Sequence, residues 1–345
     1  MTNPSSSERF LELLASYKRV AVVHHWDVDG ISSSAILGRA LFKLGVEAHY
    51  CVPKIGLYRP EAIDLEAVAK AKPRALLLVD YGLRVDYVDE VEKRLGVDVV
   101  VVDHHANAVR AQRFYNPVAR GAAEDDYPST TWVLRELLKL DDDLDLVALG
   151  VVGDLGKSLE VKPIRRGLEL MASKHGLSLE DLYEASNLVN SCYRLLDSHC
   201  IGEVRELLVE RGVKGVLASC KLKEKAEELK REVERAAARI KEVFARGPVK
   251  AYELTSNSYI TSSIGRELAY RHRESIVALV HRVESLGVTY IYVRSLKYNL
   301  RRALEELRAK GLEVGGKDQV FVVTCLNGRG EVDLVLEALT RIEVF

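Results

Sequence analysis

Three short apolar runs in the first third of the chain place the strongest constraint on its fold. Residues 20–23, 75–79 and 97–102 are almost wholly apolar, and segments with the apolar spacing of helices separate them. Strands that are apolar along their whole length are buried on both faces, as in a parallel sheet covered by helices. The sequence therefore predicts an α/β fold whose parallel sheet carries helices on both faces.

Acidic and imidazole side chains follow each of these runs. They are His25, Asp27 and Asp29 after the first run, Asp80 after the second, and Asp103, His104 and His105 after the third. A fourth apolar segment, residues 144–152, leads into Asp154. Open α/β sheets bind their ligands at the carboxyl ends of the strands. We therefore expect these side chains to meet at one edge of the sheet.

A divalent-metal site accounts for this cluster better than separate structural roles do. Crowded carboxylates raise one another's pKa unless a cation neutralises them. Asp80 alone is equally compatible with a helix cap, and His104 alone with a buried core histidine. Because the side chains recur after all four apolar segments, metal binding is favoured. The mixed ligand set suits two Mn²⁺ ions, with Mg²⁺ as the alternative, and such ion pairs promote in-line displacement at phosphorus.

Composition limits the classes of partner and compartment. The chain has 345 residues and a formal net charge of −1, so nucleic acid would have to bind at a local basic patch. No apolar run is long enough to span a bilayer, so we expect no membrane partner. The five cysteines lack CxxC spacing, which argues against a zinc site or a disulfide framework. Reduced thiols in a cytoplasmic protein are the expectation.

A change of pattern near Pro248 predicts a second domain. Residues 221–246 are highly charged with an apolar stripe at helical spacing, which predicts one long, solvated connecting helix. Alternating strand and helix patterns restart after Pro248. The predicted parts are a first domain over residues 1–190, a helical linker over 191–247 and a smaller α/β domain over 248–345.

Four motifs in order resemble those of the DHH phosphoesterase superfamily. They read HHWDVDG from His24, LLLVD ending at Asp80, VVVDHHA containing Asp103, and GVVGDLG containing Asp154. The DVDG spacing resembles the RecJ-type branch, and the GDLG motif is similar to that of archaeal RecJ-like nucleases. The resemblance covers residues 20–156 and implies a two-metal catalytic domain.

The resemblance also implies a role for each side chain of the cluster. One ion would be held by Asp27, Asp80 and Asp154 with His25 assisting, and the other by Asp29, Asp80 and His104. Asp80 would bridge the two ions as a catalytic residue. Asp103 would orient a ligand histidine, as carboxylates behind metal ligands do, and His105 would face the scissile phosphate.

In the same superfamily a DHHA1 domain follows the connecting helix and grips the substrate. Here the residues that resemble its binding motifs, with one neighbouring lysine, are Arg294, Ser295, Lys297, Gly315, Gly316 and Lys317. Lys317 stands where the superfamily usually has a histidine. Residues 285–304 lack acidic side chains and interleave basic residues with tyrosines, which suits a single strand. Core packing is the alternative role for Tyr290 and Tyr292.

The function predicted from these features is a two-metal phosphodiesterase. We expect a single-strand-specific, RecJ-like exonuclease that hydrolyses DNA or RNA. One alternative is a replication scaffold that associates with GINS or the replicative helicase and has weak or no nuclease activity. Another is a phosphatase of short oligonucleotides or nucleotides. The retained metal ligands favour an enzyme over a scaffold.

Overall fold

A computed structural model describes residues 6–106, 112–325 and 329–342 of the chain. The chain divides into two compact units. The first unit comprises Met1–Tyr193 and Asp197–Ala226, and the second comprises Arg194–Leu196 and Glu227–Phe345. The chain therefore enters the second unit briefly before it returns to the first. The domain limits expected from the sequence stay a prediction.

The first unit contains a five-stranded sheet in which every strand pair is parallel. Its strands are β1 (Arg19–His24), β2 (Glu47–Cys51), β3 (Ala75–Val79), β4 (Asp98–Val102) and β5 (Phe114–Tyr115). Their order across the sheet is β2-β1-β3-β4-β5. The apolar runs of β1, β3 and β4 are almost entirely buried. The predicted α/β class and parallel sheet are confirmed.

Helices alternate with these strands and continue beyond them. They are α1 (Ser6–Ser16), α2 (Val28–Lys43), α3 (Leu65–Lys70), α4 (Val85–Leu95), α5 (Thr130–Leu138), α6 (Leu144–Leu155), α7 (Arg165–Lys174), α8 (Leu179–Arg194), α9 (Ser198–Ala218) and α10 (Cys220–Ala237). Helix α2 is buried along much of its length and contacts α5, α6 and α9. This burial holds the first turn of α2 rigidly beside the end of β1.

The fourth apolar segment, residues 144–152, forms part of a helix. Asp154 therefore projects from the last turn of α6. From the sequence, Asp154 after this segment had been grouped with the residues at the strand ends. Residues 144–152 are buried throughout, and a buried helix has no polar face to reveal its period. The apolar run alone was consistent with either structure.

The second unit contains a six-stranded sheet in the order β10-β11-β9-β8-β7-β6. Its strands are β6 (Lys241–Arg246), β7 (Val249–Ser256), β8 (Ile276–Val283), β9 (Val288–Ser295), β10 (Glu313–Lys317) and β11 (Val320–Cys325). Its helices are α11 (Thr261–Arg271), α12 (Arg301–Ala309) and α13 (Arg329–Thr340). Strands β7 and β8 are parallel, and the other pairs are antiparallel.

The prediction of one helix over residues 221–246 is wrong at its carboxyl end. Helix α10 ends at Ala237, and β6 pairs antiparallel with β7. Gly247, with a φ of 55°, and Pro248 form the two-residue turn between these strands. The apolar stripe continues to Val243 at helical spacing, so the local pattern concealed a strand that strand pairing stabilises.

The cysteine and membrane expectations had different outcomes. Cys192 and Cys200 form a disulfide between α8 and α9, so the expectation of reduced thiols is wrong for this pair. Spacing could not reveal the pair, because only helix packing brings the two residues together. Within residues 6–106, 112–325 and 329–342, no helix combines the length and apolar character that a membrane crossing requires.

Candidate metal centre

Asp80 lies at the centre of the side chains that follow the strands of the first sheet. It comes directly after β3, is 2% exposed and has a left-handed backbone with a φ of 57°. Aspartate is among the few residues that tolerate this conformation. Its N–H donates to the Val102 carbonyl at 2.9 Å, and the Thr130 hydroxyl donates to its Oδ1 at 2.8 Å. The carboxylate is therefore held in one orientation.

The carboxylates and imidazoles expected to bind metal do converge at this edge. Three groups have ligand atoms within 4.8 Å of one another: His25, Asp27 and Asp80; Asp29, His104 and Asp154; and Asp80, His104 and His105. Asp80 shares a group with His25 and Asp27 and another with the two histidines after β4. Asp154 lies with Asp29 and His104, whereas the sequence analysis had placed it with Asp27.

Two buried histidine nitrogens face carboxylates without a hydrogen bond. His25 Nδ1 lies 2.9 Å from Asp27 Oδ1 and 3.8 Å from Asp80 Oδ2. His104 Nε2 lies 3.0 Å from Asp154 Oδ2 and 3.7 Å from Asp80 Oδ1. Neither nitrogen has a hydrogen-bond partner in the part of the chain that the structure describes. Nitrogen lone pairs among carboxylate oxygens form a donor set that fits divalent transition-metal ions.

Asp29 is held by the start of helix α5. Its two carboxylate oxygens accept the N–H groups of Thr130 at 2.6 Å and Thr131 at 3.1 Å. A helix amino terminus carries unpaired N–H groups and a partial positive charge, so it stabilises this buried anion. Gly150 makes room for it, because a Cβ there would lie 2.5 Å from Asp29 Oδ1.

The electrostatics of the cluster indicate an excess of negative charge. Burial and then the charges of Asp29, Asp27 and other carboxylates raise the pKa of Asp80 well above its usual range. Burial and the Asp154 carboxylate raise the pKa of Asp29 to about 6. Burial would lower the pKa of His104, but the adjacent Asp154 carboxylate outweighs it and raises the pKa to about 9. These shifts have the sign expected where carboxylates are crowded without a neutralising cation.

Asp103 and His105 form a pair beside the cluster. Buried Asp103 accepts the N–H of His104 at 2.8 Å and contacts His105 Nδ1 at 2.7 Å through the same Oδ1. The Asn116 amide donates to the His105 carbonyl at 2.8 Å. Burial opposes ionisation of Asp103, but the charge of His105 outweighs it and lowers the pKa of Asp103. Asp103 thus orients His105, whose side chain is about half exposed at 48%.

The sequence analysis missed several residues that hold this cluster. Thr130 and Thr131 were not connected with Asp80 or Asp29. Tyr58 contacts His25 Nε2 at 2.9 Å, and the Tyr127 carbonyl lies 3.2 Å from His104 Nδ1. The Ser-Thr-Thr run at a helix amino terminus was a usable signal for a buried carboxylate. Nothing in the sequence pattern marked Tyr58.

In the second unit, strand pairing brings part of the predicted substrate-binding set together. Val320 of β11 pairs with Arg294 of β9 on one side and with Lys317 of β10 on the other. Gly316 of β10 has a φ of 153°, and a Cβ there would lie 2.4 Å from Phe321 Cα. This position in the strand therefore requires glycine.

The remaining members of that set have local partners. Ser295 is buried and donates to the Ser275 carbonyl at 3.2 Å, while exposed Lys297 donates to Glu274 at 2.6 Å. Gly315 lies beside Gly316 in β10. Tyr290 and Tyr292 are 1% and 3% exposed. Core packing, the alternative considered for these tyrosines, is confirmed, and neither is available to stack on a base.

Sequence comparison connects this geometry with a known family. Residues 19–152 match the DHH family, N-terminal domain. The match lies wholly within the first unit. Two curated relatives are named single-stranded-DNA-specific exonuclease RecJ. The one from Bacillus subtilis (strain 168) is 24% identical over 201 residues, which cover 52% of this chain and 25% of the relative. The one from Thermus thermophilus is 28% identical over 161 residues, covering 42% and 23%. Both matches thus span about a quarter of the relative's length.

Several solved structures share the fold. A DHH domain from a protein described as a member of a ribosomal protein family superposes with a TM-score of 0.66 at 16% identity, covering 97% of this chain and 90% of that one. RecJ in complex with Mn²⁺ from Thermus thermophilus gives 0.63 at 20% identity, covering 99% and 56%. CDC45 from Entamoeba histolytica gives 0.56 at 11% identity, covering 97% and 99%. At these identities the likeness establishes the fold alone.

Proposed function

We propose that this DHH protein is a metal-dependent phosphodiesterase of the archaeal RecJ-like type that hydrolyses single-stranded nucleic acid as an exonuclease. The observation that carries the proposal is the pair of orphaned imidazole nitrogens, His25 Nδ1 and His104 Nε2, each buried among carboxylate oxygens. A buried polar atom without a partner is costly. A divalent cation at each nitrogen would satisfy it and neutralise the crowded carboxylates around it.

The proximity of the side chains supports a division into two ion sites. His25, Asp27 and Asp80 would hold one ion, and Asp29, His104 and Asp154, together with Asp80, would hold the other. This division moves Asp154 from the first site to the second. Bound divalent cations would lower the pKa of a bound water and stabilise charge on the leaving oxygen. Mn²⁺ is the proposed ion because imidazoles are present, with Mg²⁺ as the alternative.

The residues around the cluster would position substrate and ligands. Thr130 and the start of α5 hold Asp80 and Asp29 in place, so neither carboxylate needs to reorganise. Asp103 holds His105 at the cluster, where its half-exposed ring is available to a phosphate. With its pKa raised by the Asp103 charge against the effect of burial, His105 would carry a proton and donate to a phosphate oxygen.

A single strand of DNA or RNA is the proposed substrate. Arg294 of β9 and Lys317 of β10 lie on the two strands that flank Val320 of β11, and both would neutralise phosphates. The names of the two curated relatives favour single-stranded DNA, although each match spans only about a quarter of the relative. Ser295, Lys297, Gly315 and Gly316 are retained as proposed neighbours of the bound strand.

A scaffold that associates with GINS or the replicative helicase is the competing hypothesis from another class. A scaffold has no need for buried imidazole nitrogens that lack a hydrogen-bond partner. The presence of two such nitrogens among carboxylates therefore favours an enzyme. A phosphatase of short oligonucleotides or nucleotides would use the same metal ions to hydrolyse a terminal phosphate monoester in place of an internucleotide diester.

End-labelled single strands of DNA and RNA, incubated with Mn²⁺ or Mg²⁺, test the proposal. We expect successive shortening of one or both strands, with duplexes resistant and with no reaction in chelator. Release of inorganic phosphate from short oligonucleotides or nucleotides, without shortening of the strand, would favour the phosphatase. Absence of cleavage from every substrate, by a preparation that binds Mn²⁺, would overturn the proposed activity in favour of the scaffold.

A further inference from the structure

The loop over residues 53–59 places Tyr58 against the imidazole of His25. The Tyr58 hydroxyl lies 2.9 Å from His25 Nε2. The two rings are stacked, with their centroids 5.7 Å apart and their planes 27° apart. Tyr58 therefore contacts the one ring nitrogen of His25 that does not face the carboxylates.

The backbone of His25 has little freedom. Its N–H donates to the Val79 carbonyl at 3.1 Å, which fixes the residue beside the end of β3. Gly30 packs against it so closely that a Cβ there would lie 2.5 Å from His25 Cβ. The orientation of the imidazole is the remaining variable, and rotation of the ring would carry Nδ1 away from Asp27 and Asp80.

Tyr58 is itself held by aromatic neighbours. It stacks on Tyr81 at 5.8 Å and contacts Trp26 at 5.3 Å. The Tyr81 hydroxyl donates to the Leu57 carbonyl at 2.6 Å and so anchors the loop one residue before Tyr58. Although Tyr58 is 38% exposed, these contacts fix the position of its hydroxyl.

We infer that Tyr58 is a positioning residue that makes Nδ1 the metal-facing nitrogen of His25. The inference rests on the proposed function, because it takes His25 as a metal ligand. A neutral imidazole has one N–H and one lone pair. When Nε2–H donates to the Tyr58 oxygen, the lone pair lies on Nδ1, among the oxygens of Asp27 and Asp80. Metal-binding histidines commonly donate their other N–H in this way, which fixes the tautomer and the ring orientation.

Calorimetric titration of the full chain with Mn²⁺ tests this role without relying on catalysis. Tyr58→Phe keeps the ring and removes the hydroxyl, and we expect it to weaken Mn²⁺ binding by about 10-fold, as loss of such partners does. In a His25→Asn background the same substitution should change the affinity little, because no imidazole remains to be oriented. The two effects should therefore be non-additive. Tyr87→Phe, a tyrosine on α4 next to Arg84, is the matched control and should bind Mn²⁺ like the parent.

The outcomes separate this inference from the proposed function. If the parent does not bind Mn²⁺, both the metal site and the inference fail. If the parent binds Mn²⁺ and Tyr58→Phe retains its affinity, only the role of Tyr58 is overturned. An equal loss of affinity with and without His25 would also overturn it, because Tyr58 would then act by another route. Far-ultraviolet circular dichroism of each variant establishes that it is folded.

Discussion

The two units bury histidines in opposite ways. His104, at the metal cluster, has one nitrogen without a hydrogen-bond partner and a carboxylate 3.0 Å away. His281, in β8, is 0% exposed, but the hydroxyls of Ser256 and Thr261 contact its two nitrogens at 2.8 and 2.7 Å. His104 Nε2 and both nitrogens of His281 are buried, yet of these three atoms only His104 Nε2 lacks a partner. The difference teaches that burial of an imidazole alone does not distinguish the two sites, whereas a buried nitrogen without a partner beside a carboxylate does.

The pKa shifts of the two histidines follow from this difference. Burial among neutral groups lowers the pKa of His281 to about 4, so the ring is uncharged in the folded protein at neutral pH. At His104 burial acts in the same direction, but the Asp154 carboxylate outweighs it and the pKa rises to about 9. The second unit thus stabilises a neutral imidazole without help, while the first has a surplus of negative charge for a cation to neutralise.

Substitution of Asp80 should have the largest effect, because this carboxylate would contact both ions. Asp80→Asn removes its charge and keeps a residue that tolerates the left-handed backbone. We expect turnover on single strands to fall by at least ~10³, which corresponds to about 4 kcal/mol in the barrier. Single-turnover kinetics at saturating Mn²⁺ measure it.

Asp98→Asn is the matched control for that substitution. Asp98 is the first residue of β4, at the end of the strand opposite to the cluster, and its carboxylate accepts the Tyr17 hydroxyl at 2.9 Å. Its substitution should leave turnover close to that of the parent. An Asp80→Asn variant with nearly the parent rate would show that the metal assignment is wrong.

Metal binding should stabilise the first unit and leave the second largely unaffected. Mn²⁺ at about 100 times its dissociation constant should add roughly 2.7 kcal/mol to the free energy of unfolding. Both tryptophans, Trp26 and Trp132, lie in the first unit, so the temperature dependence of tryptophan emission reports on that unit. Melting in Mn²⁺ and in chelator gives the comparison. An unchanged midpoint would count against two ion sites, as would an equal shift in Asp80→Asn.

Acid should destabilise the second unit through His281. The folded pKa of about 4 lies below the usual 6.5, so between these values the unfolded chain binds more protons and stability falls as the pH falls. From pH 7 to pH 5 this group should cost about 2 kcal/mol. Hydrogen exchange of β8 amides, corrected for intrinsic rates, measures the loss at each pH.

Two variants isolate the contribution of His281 to that loss. His281→Asn has no titrating group and should show a flatter pH dependence by about the same amount. His199→Asn removes an exposed histidine and should behave as the parent does. If the His281 variant has the same pH dependence as the parent, protonation of His281 is not the cause.

Binding by the second unit should give the smallest effects. Arg294→Ala and Lys317→Ala should each weaken single-strand binding and reduce the slope of log affinity against log salt by about one, because each removes one phosphate contact. Turnover at saturating substrate should change little. Lys317→His, which restores the residue usual in the superfamily, should be tolerated.

Affinity measurements at several salt concentrations test this group of variants. Arg271→Ala, which removes an exposed arginine from α11, is the control and should leave the slope unchanged. Unchanged slopes in both the Arg294 and the Lys317 variants would reject the proposed grip, even if the metal site proved active. They would also favour the scaffold hypothesis, which a pull-down for GINS or helicase subunits could then examine.

Much of the first unit could be predicted from the sequence because its signals are local. Apolar runs of four to six residues, shorter than a typical helix and followed by aspartate or histidine, indicated the buried strands β1, β3 and β4 and their carboxyl ends. The parallel arrangement then requires those ends to lie at one edge. Asp29, Asp80 and His104 were named on this basis, and His104 shares one group of ligand atoms with Asp29 and another with Asp80.

The local sequence pattern gave a wrong or an open prediction in two situations. In one, a strand continued the apolar spacing of a helix, and in the other, the pattern could not tell buried side chains from exposed ones. Residues 241–246 continue a helical stripe yet form a strand, because pairing with β7 outweighs the helical preference. Tyr290 and Tyr292 alternate with other residues as in any strand, and only the packing of the sheet decides that they are buried. The disulfide between Cys192 and Cys200 likewise depends on how α8 and α9 meet.

The sequence by itself determined which residue types follow the strands, and on that basis it predicted a cation there. The tertiary structure alone decided that Asp154 comes from a helix and lies with Asp29, and that Tyr58 contacts the far nitrogen of His25. The physical reason is the distance in sequence between the residues that interact. Strand and helix periods depend on neighbours in the chain, whereas the direction of a nitrogen lone pair depends on elements that are distant in sequence and meet only when the chain packs.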